Sequence, residues 1–161
     1  MEKEFGKFFE EKNYIKVKNS LFNYLNRKKE IGIMFNKYNN YSKNKNFKAL
    51  DIGSGISPVS PVPKKTLFVD ISEKGVKIMG WWGYNAEYGD INNLKYKNEI
   101  FEWIFCSEVL EHIENYKQAI SELYKVTRLN GKLIITVPVH QKYWDMDDEF
   151  VHHYRRFNPK E

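Results

Sequence analysis

Two periodicities divide the chain. Over residues 2–38 apolar side chains recur at helical spacing and read as one or two helices: Phe5, Phe8 and Phe9 share one face, while Leu21, Phe22 and Leu25 suggest another. Residues 38–46, YNNYSKNKN, are polar and rich in turn-forming Asn, and read as a linker. From residue 47 onward, short apolar runs alternate with helical patterns. Strands are expected over 47–52, 66–70, 84–88, 101–106 and 132–138. Ser72 can cap a short helix over 73–79, with Glu73 in its first turn and Gly80 near its end. A second helix is expected over 116–128. Its apolar face runs through Ala119, Ile120, Leu123 and Tyr124, with Thr127 continuing the spacing and Val126 flanking it. Leu129, Asn130 and Gly131 make the turn that follows.

Strands alternating with helices imply an α/β domain built on an open, mostly parallel sheet with right-handed crossovers. The organisation expected is a helical segment and linker over 1–46 and a sheet domain over 47–161. Ligands of such sheets sit beyond the carboxyl ends of the strands. The loops to search therefore carry 51–55, Asp70, Asp90 and 107–112.

The first of these loops lies in KALDIGSGISPVSPVPKKTLFVDIS, residues 48–72. Gly53 and Gly55 let the backbone turn tightly and approach a ligand. Pro58 stands where a third glycine of a dinucleotide-binding loop would be, and no Gly-Lys-Ser/Thr follows. Pro58, Pro61 and Pro63 oppose the helix that normally joins two such strands. With that helix goes much of the dipole that would hold a phosphate. Three acids attend the loop. Asp70 ends the second strand, where a carboxylate can accept both hydroxyls of a ribose. Asp51 precedes the glycines, and Asp90 follows the third strand, where a carboxylate can accept from an adenine amine. Carboxylates grouped around one site repel phosphate and suit a cation. A cationic, phosphate-free nucleoside points to S-adenosylmethionine.

Charge changes the picture only at the N-terminus. The net charge is +5, but residues 1–48 carry 12 Lys/Arg against 5 Asp/Glu while residues 49–161 carry 14 against 16. The basic excess reads as a solvated, Lys-rich surface, with nucleic-acid binding as the minor alternative. No run of about 18 apolar residues marks a membrane span. A charged N-terminus without an apolar signal core and a single cysteine, Cys106, give cytoplasmic as the expected location.

"LDIGSG", "FVDIS", "GDI", "FEWIFCSEVLEHI" and "RLNGKLIITVPV" stand in an order and spacing that resembles class I S-adenosylmethionine-dependent methyltransferases, with the small-molecule, quinone-biosynthesis branch nearest in flavour. "VPVHQKYWDMDDEFVHHYRRF" looks like a V-P-x-H … H-x-R-R-Y/F segment of a subset of these enzymes. The resemblance covers roughly residues 47–157. It implies a Rossmann-like sheet in order 3-2-1-4-5 and S-adenosylmethionine as cofactor. By that resemblance Gly53, Ser54 and Gly55 wrap the methionine moiety, and Asp51 orients the loop and faces the ammonium. Asp70 holds the ribose, Ile71 packs on the adenine, and Asp90 with the Ile91 amide reads its amine. Cys106 and Ser107 touch the methionine part. The family's sheet usually has seven strands, and the sequence stops at Glu161 after the fifth. The expectation is a minimal variant, a truncated product, or a sheet whose uncovered edge is completed by a second copy or a partner chain.

Methyl transfer needs alignment and, for a hydroxyl or ammonium acceptor, a base. His140, His153 and His112 are the catalytic candidates. Glu111, Tyr143, Trp144, Arg155 and Arg156 are candidates for binding the acceptor, the arginines suiting an anionic one. The competing reading has Arg155 and Arg156 pair with Asp147, Asp148 or Glu149 to pin the tail. No metal is expected, because His140, His152, His153 and Asp148 match no dedicated metal spacing. The acceptor expected is a small molecule. The fourth strand is followed by CSEVLEH and not by the Asn/Asp-Pro-Pro-aromatic signature of base-amino methylation, which leaves RNA as the lesser reading. A cofactor-binding but inactive module is the other alternative.

Overall fold

The computed structural model describes residues 22–39 and 47–160. The expected Phe5, Phe8 and Phe9 face, Leu21 and most of the Asn-rich linker lie outside these residues. The described elements are helix α1 (Phe22–Tyr38), strand β1 (Ala49–Ile52), β2 (Thr66–Asp70), helix α2 (Glu73–Trp81), β3 (Ala86–Tyr88), β4 (Phe101–Ser107), helix α3 (Tyr116–Val126), β5 (Thr127–Thr136) and helix α4 (Met146–Phe150). The five strands form one parallel sheet in the order β3-β2-β1-β4-β5, as the family resemblance implies. No helix among the described residues is long and apolar enough to cross a membrane.

Strand alternation sorts the apolar side chains onto two faces. Leu50, Ile52, Val69, Ile104 and Cys106 pack on one face with Ala119, Leu123 and Val126 of α3. Ala49, Trp103, Phe105 and Ile134 pack on the other with Tyr24, Ile31 and Phe35 of α1, and Val59 of the Pro-rich loop joins them. Phe35 lies tilted on Trp103 at 4.8 Å between ring centroids. The missing crossover helix therefore does not leave the sheet bare. A 3₁₀ turn, Pro63–Lys65, is the sole helical element between β1 and β2, and α1 covers the face. The Tyr24 hydroxyl donates to the Pro58 carbonyl at 2.9 Å, which ties helix to loop.

Two expected faces shift. In α1 the buried stripe is Tyr24, Ile31 and Phe35, while Phe22 is 79% exposed and Leu25 51%. Large aromatics opposite Trp103 and Phe105 select the stripe, which local apolar content cannot reveal. In α3 the buried stripe is Ala119, Leu123 and Val126, and Tyr124 is 80% exposed. The helix also ends at Val126, because the carbonyls of Lys125 and Val126 accept the amides of Glu99 and Ile100 at 3.1 Å. The expected Leu129–Asn130–Gly131 turn is a bulge within β5. Phe101 pairs with Thr127 but Trp103 pairs with Lys132, and Asn130 takes φ +64° to close the excursion.

Truncating Phe35 tests whether α1 belongs to the core. Phe35→Ala is expected to cost about 3–5 kcal/mol of folding stability. Denaturant unfolding reads it; a loss within about 0.5 kcal/mol would mark α1 as a detachable arm.

Candidate functional site

A cleft of about 530 Å³ opens beyond the carboxyl ends of β1, β2 and β4. Its floor is the β1 loop. Gly53 takes φ +73° and Gly55 φ +53°, conformations that glycine adopts without strain. A Cβ on Gly53 would meet Val109 Cγ2 at 2.5 Å, so glycine is also what allows the β4 loop to close over it. The Gly53 amide donates to the Val69 carbonyl at 2.7 Å. Asp70, at the end of β2, accepts from the Gly55 amide at 2.7 Å and from the Ser72 amide at 2.8 Å. Ser72 then caps α2 through the Gly75 amide at 3.1 Å. One carboxylate thus sets the glycine loop against the start of a helix, and it lines the cleft.

The other walls follow the strand order. Ile71 lines the cleft beside Asp70. Asp90 and Ile91 come from the loop after β3, where Asp90 accepts from the Asn92 amide at 2.8 Å. Glu108, Val109 and His112 come from the loop after β4. Glu108 takes φ +55° and accepts from the Thr136 hydroxyl at 3.1 Å. Glu108 and Val109 were not singled out by sequence, and neither were Glu114 and Gln118, which also line the cleft. The FEWIFCSEVLEHI block taken whole is the only signal for Glu108 and Val109; Glu114 and Gln118 lie beyond it, and no motif marks them. Asp70, Asp90, Glu108 and Glu114 give the wall four carboxyl groups, and among the described residues that line it there is no Lys or Arg.

Three expected contacts fall elsewhere. Asp51 is 1% exposed and does not line the cleft; one oxygen accepts the amides of Val59 and Ser60 at 2.9 and 2.8 Å. It points to the face that α1 covers, because alternation along β1 places it with Ala49 and opposite Leu50 and Ile52. Burial pushes its carboxyl up to about 7, against the downward pull of those two amides. Cys106 is fully buried in the α3-facing core, where burial also raises its thiol pKa. The Ser107 hydroxyl bonds the Thr136 hydroxyl at 2.8 Å, and neither Cys106 nor Ser107 lines the cleft.

The catalytic and acceptor candidates separate into groups. His112 is on the cleft wall. His140 is exposed and borders a shallow hollow with Gln141, Lys142, Arg156 and Asn158. Tyr143 is exposed beside His140, with ring centroids 5.9 Å apart, and Trp144 closes the same short turn. Arg155 donates to the Glu114 carbonyl at 2.8 Å and lies over the Tyr116 ring. Arg156 grips Asp148 through Nε and an NH₂ group, both at 2.8 Å from Oδ2. Burial alone would raise Asp148, but the bonds from Arg156 and His153 outweigh it and bring the carboxyl down to about 2. Of the two readings of this arginine pair, Arg156 follows the one in which it pins the tail. Glu111 is fully buried, and burial followed by the nearby Glu108 charge raises its carboxyl to about 8.

Residues 50–135 match a family described as a methyltransferase domain. An uncharacterized protein of Methanocaldococcus jannaschii is 31% identical over 129 residues, spanning 78% of this chain and 54% of that protein. A second uncharacterized protein of the same organism is 31% identical over 90 residues, spanning 56% of this chain and 44% of its own length. The chain thus spans about half the length of the curated relatives it matches. A Thermotoga maritima crystal structure, described as a SAM-dependent methyltransferase and possible histamine N-methyltransferase, has the same fold. It superposes with a TM-score of 0.77 at 20% identity, over 99% of this chain and 75% of that one.

Asp51 carries a pH dependence of known sign. Its carboxyl titrates near 7 in the fold against an ordinary 3.8, so the native chain holds the proton more tightly. This contribution to stability is fully present below about 3.8 and is lost as pH rises toward 7. Asp51→Asn keeps an oxygen for both amides and is expected to flatten part of that decline. Denaturant midpoints at about pH 5 and about pH 8 measure it. An equal fall in the variant would show that Asp51 ionises at no cost.

Proposed function

The chain belongs to the class I S-adenosylmethionine-dependent methyltransferases, and from that premise we propose that its cleft binds S-adenosylmethionine and serves methyl transfer to a small-molecule acceptor. The observation that carries the reading is the charge of the wall. Asp70, Asp90, Glu108 and Glu114 face a space without a lining Lys or Arg, which disfavours a phosphate-bearing nucleotide and favours a cationic nucleoside. The residues fit that group. Gly53 and Gly55 bring bare backbone to the floor, where a Cβ at Gly53 would collide with Val109. Asp70 is the carboxylate for the ribose, and Ile71, Asp90 and Ile91 line the part suited to adenine. Asp51 acts one layer away, by holding the Pro-rich loop through Val59 and Ser60.

When bound, the cofactor supplies a methyl group already activated on a sulfonium. The chain's task is then to orient and enclose. Asp70 fixes the loop by its bond to the Gly55 amide, and Val109 closes over Gly53. His112, the one imidazole among the described lining residues, is the side chain we assign to meet the acceptor. Within the described residues the sheet ends at β5. We assign that outer edge to a second copy or a partner chain, since an unpaired strand edge favours association.

Calorimetry with S-adenosylmethionine, and NADH as the phosphate-bearing control, tests the reading. Saturable binding of S-adenosylmethionine alone is expected. Asp70→Ala and Gly53→Ala are each expected to weaken it by about tenfold or more, a loss of at least about 1.4 kcal/mol. Equal binding of NADH, or none of S-adenosylmethionine by the folded chain, would refute it.

A further inference from the structure

Beside the cleft, the fold gathers a second set of groups. Glu111 is 0% exposed, and neither of its carboxylate oxygens accepts a hydrogen bond. Its Oε1 stands 3.9 Å from His153 Nε2, too far for a hydrogen bond. The His112 and His153 rings meet edge to face, with centroids 4.6 Å apart. One donor atom from each of Glu111, His112 and His153 lies within 4.8 Å of the other two.

His153 is held for this arrangement from behind. Its Nδ1 is 2.6 Å from Asp148 Oδ1, and a carboxylate there requires that Nδ1 carry the proton. Nε2 then presents a lone pair on the side where Glu111 stands. Asp148 is itself fixed, by Arg156 and by the Asp145 amide at 3.0 Å. A carboxylate behind the imidazole that turns the other nitrogen outward is the arrangement found behind metal-binding histidines. A buried carboxylate without a hydrogen bond is costly unless a cation compensates it.

We propose that Glu111, His112 and His153 form a binding site for one divalent transition-metal cation, with Asp148 as the residue that positions His153. Two imidazole nitrogens and one carboxylate oxygen are a donor set that suits zinc and its neighbours and not magnesium or calcium. At metal–ligand distances of about 2.0–2.2 Å in tetrahedral geometry, two donors stand about 3.3–3.6 Å apart. Binding therefore draws the widest pair together by up to about 1.5 Å, a side-chain adjustment in which Glu111 has no hydrogen bond to break. His112 also lines the cleft, so the ion stands at its edge, where an oxygen of the acceptor can complete the coordination. That last role rests on the methyl-transfer reading; the binding of the ion does not.

The test uses the full chain without a histidine tag, stripped with chelator and titrated with Zn²⁺ by calorimetry. One equivalent is expected to bind. Glu111→Gln and His153→Ala are expected to weaken binding by about tenfold or more, and Asp148→Asn by about 10–100-fold. His152→Ala, at an exposed neighbour, is expected to leave it unchanged. Imidazole resonances of the unmodified chain decide the matter even where a variant fails to fold. Zn²⁺-dependent shifts of His112 and His153 carry the proposal. No uptake, full uptake by folded His153→Ala, or shifts confined to His140 and His152 would overturn it.

Discussion

The buried carboxylate of Asp51 is the constraint on which the rest of this molecule depends. Three prolines between β1 and β2 exclude the usual crossover helix and with it the hydrogen bonds such a helix makes for itself. The backbone of the replacement loop is buried from Gly55 to Ser60 and must find partners elsewhere. Asp51 supplies two of them, at Val59 and Ser60, from inside the sheet. Tyr24 supplies another from outside, at the Pro58 carbonyl. With the loop pinned between strand and helix, Val59 can join Trp103 and Phe105 in the core. The glycines at its start then hold the left-handed turns that shape the cleft floor.

The two ends of that loop answer to two different aspartates. Asp51 points down into the α1 face and organises packing, while Asp70 points across to Gly55 and organises the cleft. The division leaves the ligand space with acids that are near it in space but scattered along the chain. Asp70 and Asp90 follow their own strands, whereas Glu108 and Glu114 come from the single loop after β4. That loop works on both of its sides. Its Val109 and His112 line the cleft, and its Glu111 turns into the protein toward His153 and the tail.

The tail block VPVHQKYWDMDDEFVHHYRRF is therefore more than an appendage. A capping box formed by Asp145 and Asp148 starts α4. Asp148 then engages Arg156 and His153, the Tyr154 amide donates to the Glu111 carbonyl at 2.7 Å, and Phe157 packs against Tyr116. Its charged residues are spent mainly on one another and on the β4 loop. This is why several residues that look like acceptor ligands in the sequence are structural supports in the fold.

Strand order followed from the family resemblance; the strands themselves, the glycine turn, the absence of the crossover helix and the acids that follow β2 and β3 could be read from the local pattern of residues. Each is local: strand alternation, proline's fixed φ, glycine's positive φ and the short reach from a strand to its own loop need no knowledge of distant neighbours. What tertiary structure decided was which way each residue faced. Asp51 reads as a cleft acid because it is two residues from Gly53, yet the pleat of β1 turns it to the opposite side. Tyr124 fits a helical stripe as well as Val126 does, and the sheet chose Val126. Glu111 and His153 are far apart along the chain, and no spacing rule joins them. They meet only because the β4 loop and the tail pack together, and contact between distant segments is set by the whole core and not by either segment.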